Sequence, residues 1–583
     1  MILDYSDAVT TGPPRVRRAS LELTAVPAFL EPLRSRSFRW LEGTGMFSNV
    51  GVWMVALLGG FIMERLTRSP VLVALATDMS PLAGILVVML SGAAADSRDR
   101  RGVLLVSKVL LVTSVAFLVL VSAAHLLNPA TLLIGVAGMG VANGTSSPSW
   151  WATVSNLVRP ELIPVAMSVD SFEWNIGQLV GPVVGGVIVH DAGSTAFFAV
   201  CGAVMLPLVV FLCVWRGRSN LRLSTPGGTA VESFLGSVSS GWRFFVNTPG
   251  LRAVAVRTAL YVTPAAALGA LLPLFADRYL HTSAFGYGLF LALSGAGAMA
   301  AAVALPSLRG YLHLDALVAG AALANGVALA VLIVWPNRWV TGPVLVVTGA
   351  SWVWSTTTLT IAARQAVPQW VQTRALSIYY VVLQGPFVLG GIAFGVVATF
   401  LPLRTTLAIA AVALLPGVLL IPRFGLPVVE RGSLELVAHS ALTVGEHVHP
   451  DDGPVLVLVE YRIDEDDVDD FLAAMADLRI VRRRLGGTRW GVFEDSTEHG
   501  KFLETFLVAS WHGYLLQRAH YTKGDMAIED RASAYHRGPG QPTFTRLVHP
   551  DSVEAARTRS AWRRQMVRLV SDRPDGPTGP RGT

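Results

Sequence analysis

The sequence predicts an α-helical membrane protein with twelve spanning helices, followed by a small α+β domain. Of its 583 residues, 52% are hydrophobic and 15% are charged, whereas soluble domains carry about 25% charged residues. Apolar segments near the length of about 20 residues that crosses a bilayer recur up to residue 421. Beyond residue 422, short alternating patterns replace them, which indicates a separate soluble domain.

The apolar segments fall into two groups, which predicts two six-helix halves. The N-terminal half covers residues 38–215 and the C-terminal half covers residues 251–421. A polar cytoplasmic segment, residues 1–37, precedes them, and a cytoplasmic middle loop, residues 216–250, separates them and carries a predicted surface helix. The predicted spans cover residues 40–63, 71–95, 103–125, 130–155, 162–189, 195–215, 251–275, 284–305, 315–335, 340–363, 372–400 and 404–421.

Arginines are concentrated in the segments that fall on one side of the predicted bilayer, and this predicts the orientation. The six arginines before residue 40 and the group Arg98, Arg100 and Arg101 lie on the predicted inner side. We therefore expect a multi-pass membrane protein with both termini in the cytoplasm. The two cysteines, Cys201 and Cys213, fall in one predicted span, which excludes a disulfide framework.

The C-terminal residues predict a small soluble domain. Residues 422–453 form a linker, residues 454–550 the domain, and residues 551–583 a tail that we expect to be disordered. Strand and helix patterns alternate in the order βαββαβ, which is typical of a ferredoxin-like fold. The predicted elements are a strand near 454–461, a helix over 465–484, strands near 488–494 and 502–509, helical sequence near 511–536 and a strand near 543–548. We interpret Arg482, Arg483 and Arg484 as bases that match the helix macrodipole.

Two motifs stand out in the N-terminal half. Span five carries glycines and a proline, which lower helix propensity and therefore indicate close helix packing and a bend. The loop between spans two and three combines a glycine, an aspartate and arginines, which suit close contact, hydrogen bonding to a facing helix end and anchoring at the inner surface. The first motif consists of Gly177, Gly181, Pro182, Gly185 and Gly186, and the second of Gly92, Asp96, Arg98, Arg100 and Arg101.

These motifs resemble the antiporter signature and the gating loop of the major facilitator superfamily. Ser97 and Asp99 depart from the loop pattern, which usually has a base and a glycine there. Over residues 36–425 the chain is similar to the branch called transmembrane secretion effectors, which holds siderophore and macrolide exporters. Residues 159–164 and 241–245 support this likeness, and Ser510, Trp511 and residues 522–525 resemble the tail domain of many members.

The resemblance implies a twelve-span major facilitator fold, alternating access and proton antiport. The expected substrate is a small amphipathic molecule such as a drug, a siderophore or another secondary metabolite. An internal repeat agrees with this fold, because an offset of 209 residues carries Gly181 onto Gly390 and Gly186 onto Gly395. We expect a transporter and no enzyme, with protons, lipid and the substrate as partners and no nucleic acid.

Acidic residues within the spans are candidates for proton coupling. Charged groups are costly in lipid, and a buried carboxylate can exchange protons near neutral pH. Glu173 is the first candidate, Asp78 the second, and Asp170 follows one turn before Glu173. Glu42 lies near the inner end of span one, where bracing of a loop is an alternative. A static ion pair or an interhelix hydrogen bond is the alternative for each of them.

The substrate cavity is expected near the midplane between the halves. Polar and aromatic side chains at that depth are the candidates for lining it. They are Asn49, Trp53, Asn143, Ser147, Tyr261, Trp352 and Ser355. No cofactor or metal is expected, since Glu446, His447 and His449 read as linker residues without a further ligand.

Other functions stay open from the sequence. A lipid flippase is one alternative within transport, and a signalling receptor on a transporter scaffold is another. The C-terminal domain is predicted to regulate or dimerise the protein, with a small-monooxygenase-like activity as its alternative.

Overall fold

The computed structural model describes residues 28–95, 100–215, 234–368, 370–427, 432–437, 448–449 and 452–549. A helical part comes first and a smaller α+β part follows. The first part contains α1 (Arg36–Leu66), α2 (Pro70–Ala95), α3 (Arg100–Ala123), α4 (Pro129–Asn156), α5 (Ile163–Val214), α6 (Phe234–Asn247), α7 (Pro249–Arg278), α8 (Ala284–Leu308), α9 (Leu314–Val334), α10 (Arg338–Gln365), α11 (Gln372–Phe400), α12 (Leu403–Ala413) and α13 (Pro416–Leu419).

Within the described residues, nine helices are long and apolar enough to cross a membrane. One of them, α5, has 52 residues, and its backbone leaves the helical conformation at Gly193, where φ is 78°. Glycine adopts this left-handed conformation without a steric penalty. The kink lies between predicted spans five and six. Helix α4 is not among these nine, and α12 with α13 forms a shorter apolar stretch, Leu403–Leu419.

Helices α5 and α11 each pack along a helix of their own predicted half. Helix α5 runs along α1, and α11 runs along α7. Each of these two helices also packs against a helix of the other predicted half, α5 against α8 and α11 against α2. Helices α5 and α11 therefore link the two sets of helices.

The α+β part forms around one antiparallel sheet, in agreement with the predicted small C-terminal α+β part. Its elements are β1 (Val455–Arg462), α14 (Val468–Arg484), β2 (Thr488–Glu494), β3 (Lys501–Val508), α15 (Trp511–Ala519), α16 (Lys523–Ser533) and β4 (Thr543–Val548). The strand order is β2-β3-β1-β4. Val455 of β1 pairs with Val508 of β3 and with Val548 of β4. Alternate residues of β1 and β3 are buried under the helices, as the period of a half-covered strand requires.

The predicted helical sequence near 511–536 forms two helices. Thr522 begins α16, because its side chain accepts a hydrogen bond from Asp525 N while the Asp525 carboxylate accepts from Thr522 N. This capping box stabilises a new helix start and separates α16 from α15. The predicted helix over 465–484 begins with a 3₁₀ turn, Glu465–Asp467, before α14.

A buried ion network fills the interior of the α+β part. The Arg482 guanidinium donates to both oxygens of Glu504, at 3.0 and 3.2 Å, and to Glu529 at 3.0 Å. Trp490 and Tyr461 donate to Glu504 as well. The interpretation of Arg482 as a base that only matches the helix dipole is therefore incomplete, since it balances two carboxylates inside the domain.

The two parts touch through aromatic rings, which we call the aromatic stack. The Trp370 ring, in the connection between α10 and α11, lies parallel to the His520 ring with 3.8 Å between centroids. Phe244 of α6 packs edge-on against Trp370, and the Arg484 guanidinium covers Phe244 at 5.4 Å. The Arg484 guanidinium also pairs with Asp525. The α+β part is therefore docked on α6 and on the start of α11.

Replacing Trp370 by alanine is expected to loosen this docking. The change removes both ring contacts of Trp370, and each aromatic pair contributes about 0.5–1.5 kcal/mol. Limited proteolysis of the detergent-solubilised protein measures the docking. We expect Trp370→Ala to be cleaved several-fold faster than the wild type between the helical part and the α+β part. Trp339→Ala is the control, because Trp339 is exposed on α10. Equal cleavage of the two variants contradicts the docking.

Some predictions concern residues outside the described ranges. They are the tail 551–583, most of the N-terminal segment and much of the linker, with Glu446 and His447. Among the described residues, no group of three or more His, Cys, Asp or Glu is arranged to hold a metal ion.

Candidate functional site

Three glycines of α5 face α1. A methyl group added at Gly177 would lie 2.8 Å from the Trp53 ring, and one at Gly181 would lie 3.0 Å from the carbonyl oxygen of Val50. A methyl group at Gly185 would lie 2.5 Å from Leu58. The spacing of four residues puts all three on one helix face. The predicted motif thus lets α5 and α1 approach more closely than any side chain would permit.

The remaining motif residues face α8. A methyl group at Gly186 would lie 2.6 Å from the carbonyl oxygen of Ala284, at the start of α8. One turn further into α8, a methyl group at Gly288 would collide with the carbonyl oxygen of Pro182. The motif therefore packs α5 against two helices at once, α1 on one side and α8 on the other.

The glycines at an offset of 209 residues make equivalent contacts in α11. Gly390 packs against Thr263 of α7, as Gly181 packs against α1. Gly395 packs against Ala74 of α2, where a methyl group would lie 2.7 Å away, as Gly186 packs against α8. Matching glycines thus contact matching helices.

The structure brings three in-span acids together. The carboxyl groups of Glu42 on α1 and Glu173 on α5 are neighbours and interact with each other. Both are buried. Trp150 of α4 donates to Asp170 at 2.6 Å, and Gly45 leaves the space that the Trp150 ring and Glu173 occupy. Glu42 is thus a direct neighbour of Glu173, a role that its place near a helix start did not indicate.

These carboxyl groups are short of hydrogen-bond donors. Both oxygens of Glu42 and one of Glu173 have no partner among the described residues. An ionised carboxylate only accepts hydrogen bonds, so two facing carboxylates satisfy each other only when they share a proton. The arrangement can therefore bind a proton.

Lys108 of α3 is a member of this cluster that the sequence analysis missed. It is half-buried, its Nζ lies 5.6 Å from the centre of the Trp150 ring, and its charge acts on Glu173. The sequence could have revealed Lys108, because a lysine within an apolar span is itself a candidate for a functional role.

Asp78 lies apart from this cluster, in the interface of α2 with α11. Its side chain is buried and faces Gly391, which has no side chain to collide with it. Its Oδ2 has no hydrogen-bond partner among the described residues. It is therefore a second site with a buried acid, and this one lies at a contact between the two sets of helices.

The predicted cavity residues form two aromatic groups. Trp53 contacts Trp174 of α5 edge-on, with 5.2 Å between ring centroids, and Asn49 lies against Gly177. Tyr261 lies 6.4 Å from Trp352, which contacts Phe387 of α11 at 5.3 Å. Trp174 and Phe387 were not among the predicted residues. One group belongs to α1 and α5, the other to α7, α10 and α11.

The polar cavity candidates have different surroundings. Asn325 of α9 donates to the Tyr261 hydroxyl at 3.4 Å. The Ser355 hydroxyl is buried without a partner among the described residues. Ser147 donates to the carbonyl oxygen of Asn143 at 2.8 Å, within α4. Among the described cavity candidates, the Ser355 hydroxyl and the Trp53 Nε1 thus each leave a buried polar atom for a ligand.

The predicted gating loop is described only in part. Asp96 and Arg98 lie outside the described residues, and Gly92 and Arg100 are described as backbone of α2 and α3. The Arg101 guanidinium donates to the carbonyl oxygens of Leu212, at 3.1 and 2.9 Å, and of Cys213, at 3.0 Å. It thus caps the C-terminal end of α5, where a cation is stabilised by the helix dipole.

Comparison with known proteins places this arrangement among transporters. The multidrug efflux pump Tap of Mycolicibacterium fortuitum is 27% identical over 271 residues, which cover 43% of this chain and 62% of that protein. The chain thus matches less than two thirds of the length of this relative.

Solved transporter structures share the fold. A POT family transporter in complex with a thioalcohol-conjugated peptide has a TM-score of 0.56 at 12% identity, over 67% of this chain and 97% of that chain. A bacterial homolog of the human lysosomal transporter Spinster, inward-facing and unoccupied, has a TM-score of 0.51 at 13% identity, over 68% and 96%. At these identities the likeness shows the fold alone.

The family model described as transmembrane secretion effector matches residues 28–554, which is most of the chain. The protein therefore belongs to the transmembrane secretion effector family of the major facilitator superfamily, a family of multi-pass membrane transporters and not of enzymes.

Proposed function

We propose that this protein is a secondary active exporter of small amphipathic molecules, driven by proton antiport through alternating access. The observation that carries the proposal is the buried pair of Glu42 and Glu173 beside the glycine face of α5. The pair is a proton site, and it lies on the helix that links both sets of helices. Binding or release of a proton there changes the packing of α5.

The substrate and the proton compete for the negative charge of the Glu42 and Glu173 pair. Two adjacent ionised carboxylates repel each other, so the pair favours either a shared proton or a nearby cation. The Lys108 amine lies at the edge of the pair, and its positive charge, when present, acts on Glu173. Loss of the proton on the cytoplasmic side would loosen the contact between α1 and α5, which is the step that antiport requires.

The twelve-span architecture is part of the proposal. The division at Gly193 makes two spans of α5, and counting α4 and the pair α12–α13 brings the total to twelve. The matching glycine contacts of α5 and α11 support two repeated halves, residues 38–215 and 251–421. Both termini, the linker 422–453 and the ferredoxin-like domain 454–550 then lie in the cytoplasm of a bacterial cell.

The two aromatic groups favour substrates with a flat or apolar surface. Trp53 with Trp174 and Tyr261 with Trp352 offer ring faces and edges, while Ser355 offers a buried hydroxyl. Macrolide-like drugs and siderophores fit this description, and the similar protein Tap is named a multidrug efflux pump. Such molecules are therefore the first substrates to test.

Proton movement in inverted membrane vesicles tests the exporter directly. Addition of a substrate from a panel of macrolides, dyes and siderophores is expected to release protons in the wild type and not in Glu173→Gln, which cannot share a proton as an acid. Glu161→Gln is the matched control, because Glu161 is exposed just before α5. A normal response of Glu173→Gln would mean that the transported proton binds elsewhere, and Asp78 would then be the next candidate. Lipid transfer without a response to any compound would instead indicate a flippase.

A further inference from the structure

We propose that Lys108 is a built-in counter-cation of the Glu42 and Glu173 pair, and that its amine moves from the Trp150 ring to Glu173 when the pair loses its proton. The proposal rests on the proton site proposed above. Lys108 lies on α3, about 12 Å along the helix axis from Arg100 at a rise of about 1.5 Å per residue. It is therefore a base within the apolar part of its span, where a charged group is costly without a partner.

In the structure the Lys108 amine rests on an aromatic ring and not on an acid. Its Nζ lies 5.6 Å from the centre of the Trp150 ring, which is the geometry of a cation–π contact. No ion pair joins this amine to a carboxylate among the described residues. The charge of Glu173 nevertheless acts on it, so the amine and the acid are close enough to interact.

Trp150 connects the amine to the acids. Its Nε1 donates to Asp170 at 2.6 Å. The edge of its ring and the Glu173 Oε1 both lie against Gly45, at 2.7 and 3.1 Å from the position that a methyl group would take there. The flexible four-carbon stem of a lysine allows its amine to move along one indole. A shift along Trp150 therefore carries the amine from the ring to Glu173.

Loss of the proton makes this shift favourable. The pair is buried, and both oxygens of Glu42 and one of Glu173 have no partner among the described residues. Two ionised carboxylates in this place repel each other and need a counter-charge, because a buried charge without a partner is strongly destabilising. While the pair shares a proton, this attraction is weaker and the amine stays on the ring. The proton and the Lys108 amine therefore alternate as the cation beside Glu173.

No other base among the described side chains is placed to do the same. Helix α4 brings Trp150 and carries no charged residue. On α1, Arg39 is exposed, and on α3, Arg101 is held by the carbonyl oxygens at the end of α5. The charged groups that act on Glu173 besides Glu42 are Asp170 of α5 and Lys108 of α3. Lys108 is thus the base that stabilises the ionised pair.

Labelling with dicyclohexylcarbodiimide tests the proposal in the detergent-solubilised, full-length protein. This apolar reagent modifies carboxyl groups that are protonated in apolar surroundings, and peptide mass spectrometry reports the modification at Glu42 and Glu173. In Lys108→Met, labelling of the pair is expected to persist to a pH higher by at least about one unit, a tenfold change in the ratio of protonated to ionised pair. The reason is that the ionised pair has lost its counter-cation. Lys108→Arg keeps a cation and is expected to follow the wild type.

The same reaction reports the movement of the amine. In the wild type, part of the activated Glu173 is expected to form an amide with Lys108 Nζ, with release of dicyclohexylurea. Lys523→Met is the control, because Lys523 pairs with Glu435 away from this cluster. An unchanged pH profile in Lys108→Met, an equal shift in Lys108→Arg, or wild-type protein without the amide overturns the role of Lys108.

A second variant covers a failure of Lys108→Met to accumulate. Lys108→Cys, combined with Cys201→Ser and Cys213→Ser, is expected to show the same shift, and 2-aminoethyl methanethiosulfonate is expected to reverse it by restoring an amine in the folded protein. The labelling needs neither substrate nor a proton gradient. Absence of labelling at Glu42 and Glu173 at every pH contradicts the proton site itself, whereas labelling without proton release in vesicles contradicts the export and leaves the counter-cation in place.

Discussion

Gly186→Ala is expected to reduce export strongly while the protein still inserts into the membrane. The added methyl group would lie 2.6 Å from the Ala284 carbonyl oxygen and 3.1 Å from the Phe285 Cα. Both are backbone atoms of α8, so relief requires that α5 and α8 separate. Overpacking of this kind costs about 1–3 kcal/mol. This cost is added to the conformation in which α5 and α8 are in contact. A bias of that size shifts a conformational equilibrium about 5–150-fold.

Export of the best substrate from the vesicle panel measures this effect, with protein level in the membrane as the normalisation. Gly202→Ala is the matched control on α5, because its methyl group would lie 3.6 Å from Val115, an ordinary contact. Equal export by Gly186→Ala and Gly202→Ala contradicts a close contact of α5 with α8 in the transport cycle.

Arg482→Ala is expected to destabilise the α+β part by about 3–5 kcal/mol, the cost of removing one partner from a buried ion pair. Glu504 is fully buried, and without Arg482 it keeps only the donors of Trp490 and Tyr461. The measurement is amide hydrogen exchange of β1 and β3 in the full-length protein in detergent, which reports the free energy of opening the sheet.

Arg531→Ala provides the comparison for this prediction. Arg531 pairs with Asp477 at 3.4 Å, but both side chains are more than half exposed. A surface pair of this kind contributes about 0–1 kcal/mol. If the two substitutions change the opening free energy equally, the Arg482 network is not what stabilises the domain.

The sequence predicted those features that local spacing determines. The glycine motif of α5 was recognised because four glycines and a proline are unfavourable within a helix unless they serve close packing and a bend. The strands of the α+β part were found from their alternation. The break between α15 and α16 was missed, because the capping box of Thr522 and Asp525 lies inside a continuous helical pattern.

Features that depend on contacts between helices far apart in the chain could not be predicted from local residue spacing. Glu42 and Glu173 are far apart in the chain, and only the close packing of α1 on α5 makes them neighbours. The same holds for Glu64 of α1 and Arg278 of α7, which form an ion pair at 2.8 Å. Asp78 was recognised as an in-span acid, but its position against Gly391 follows from the contact of α2 with α11.

The aromatic stack has a consequence for the biogenesis of the protein. Ribosomes make Phe244 and Trp370 long before His520, so the stack completes only after the last membrane helix is inserted and the α+β part has folded. Until then the rings of Phe244 and Trp370 lack the cover of His520 and Arg484, as they do in a chain that ends before the α+β part. The stack therefore forms only in molecules whose synthesis has reached the α+β part.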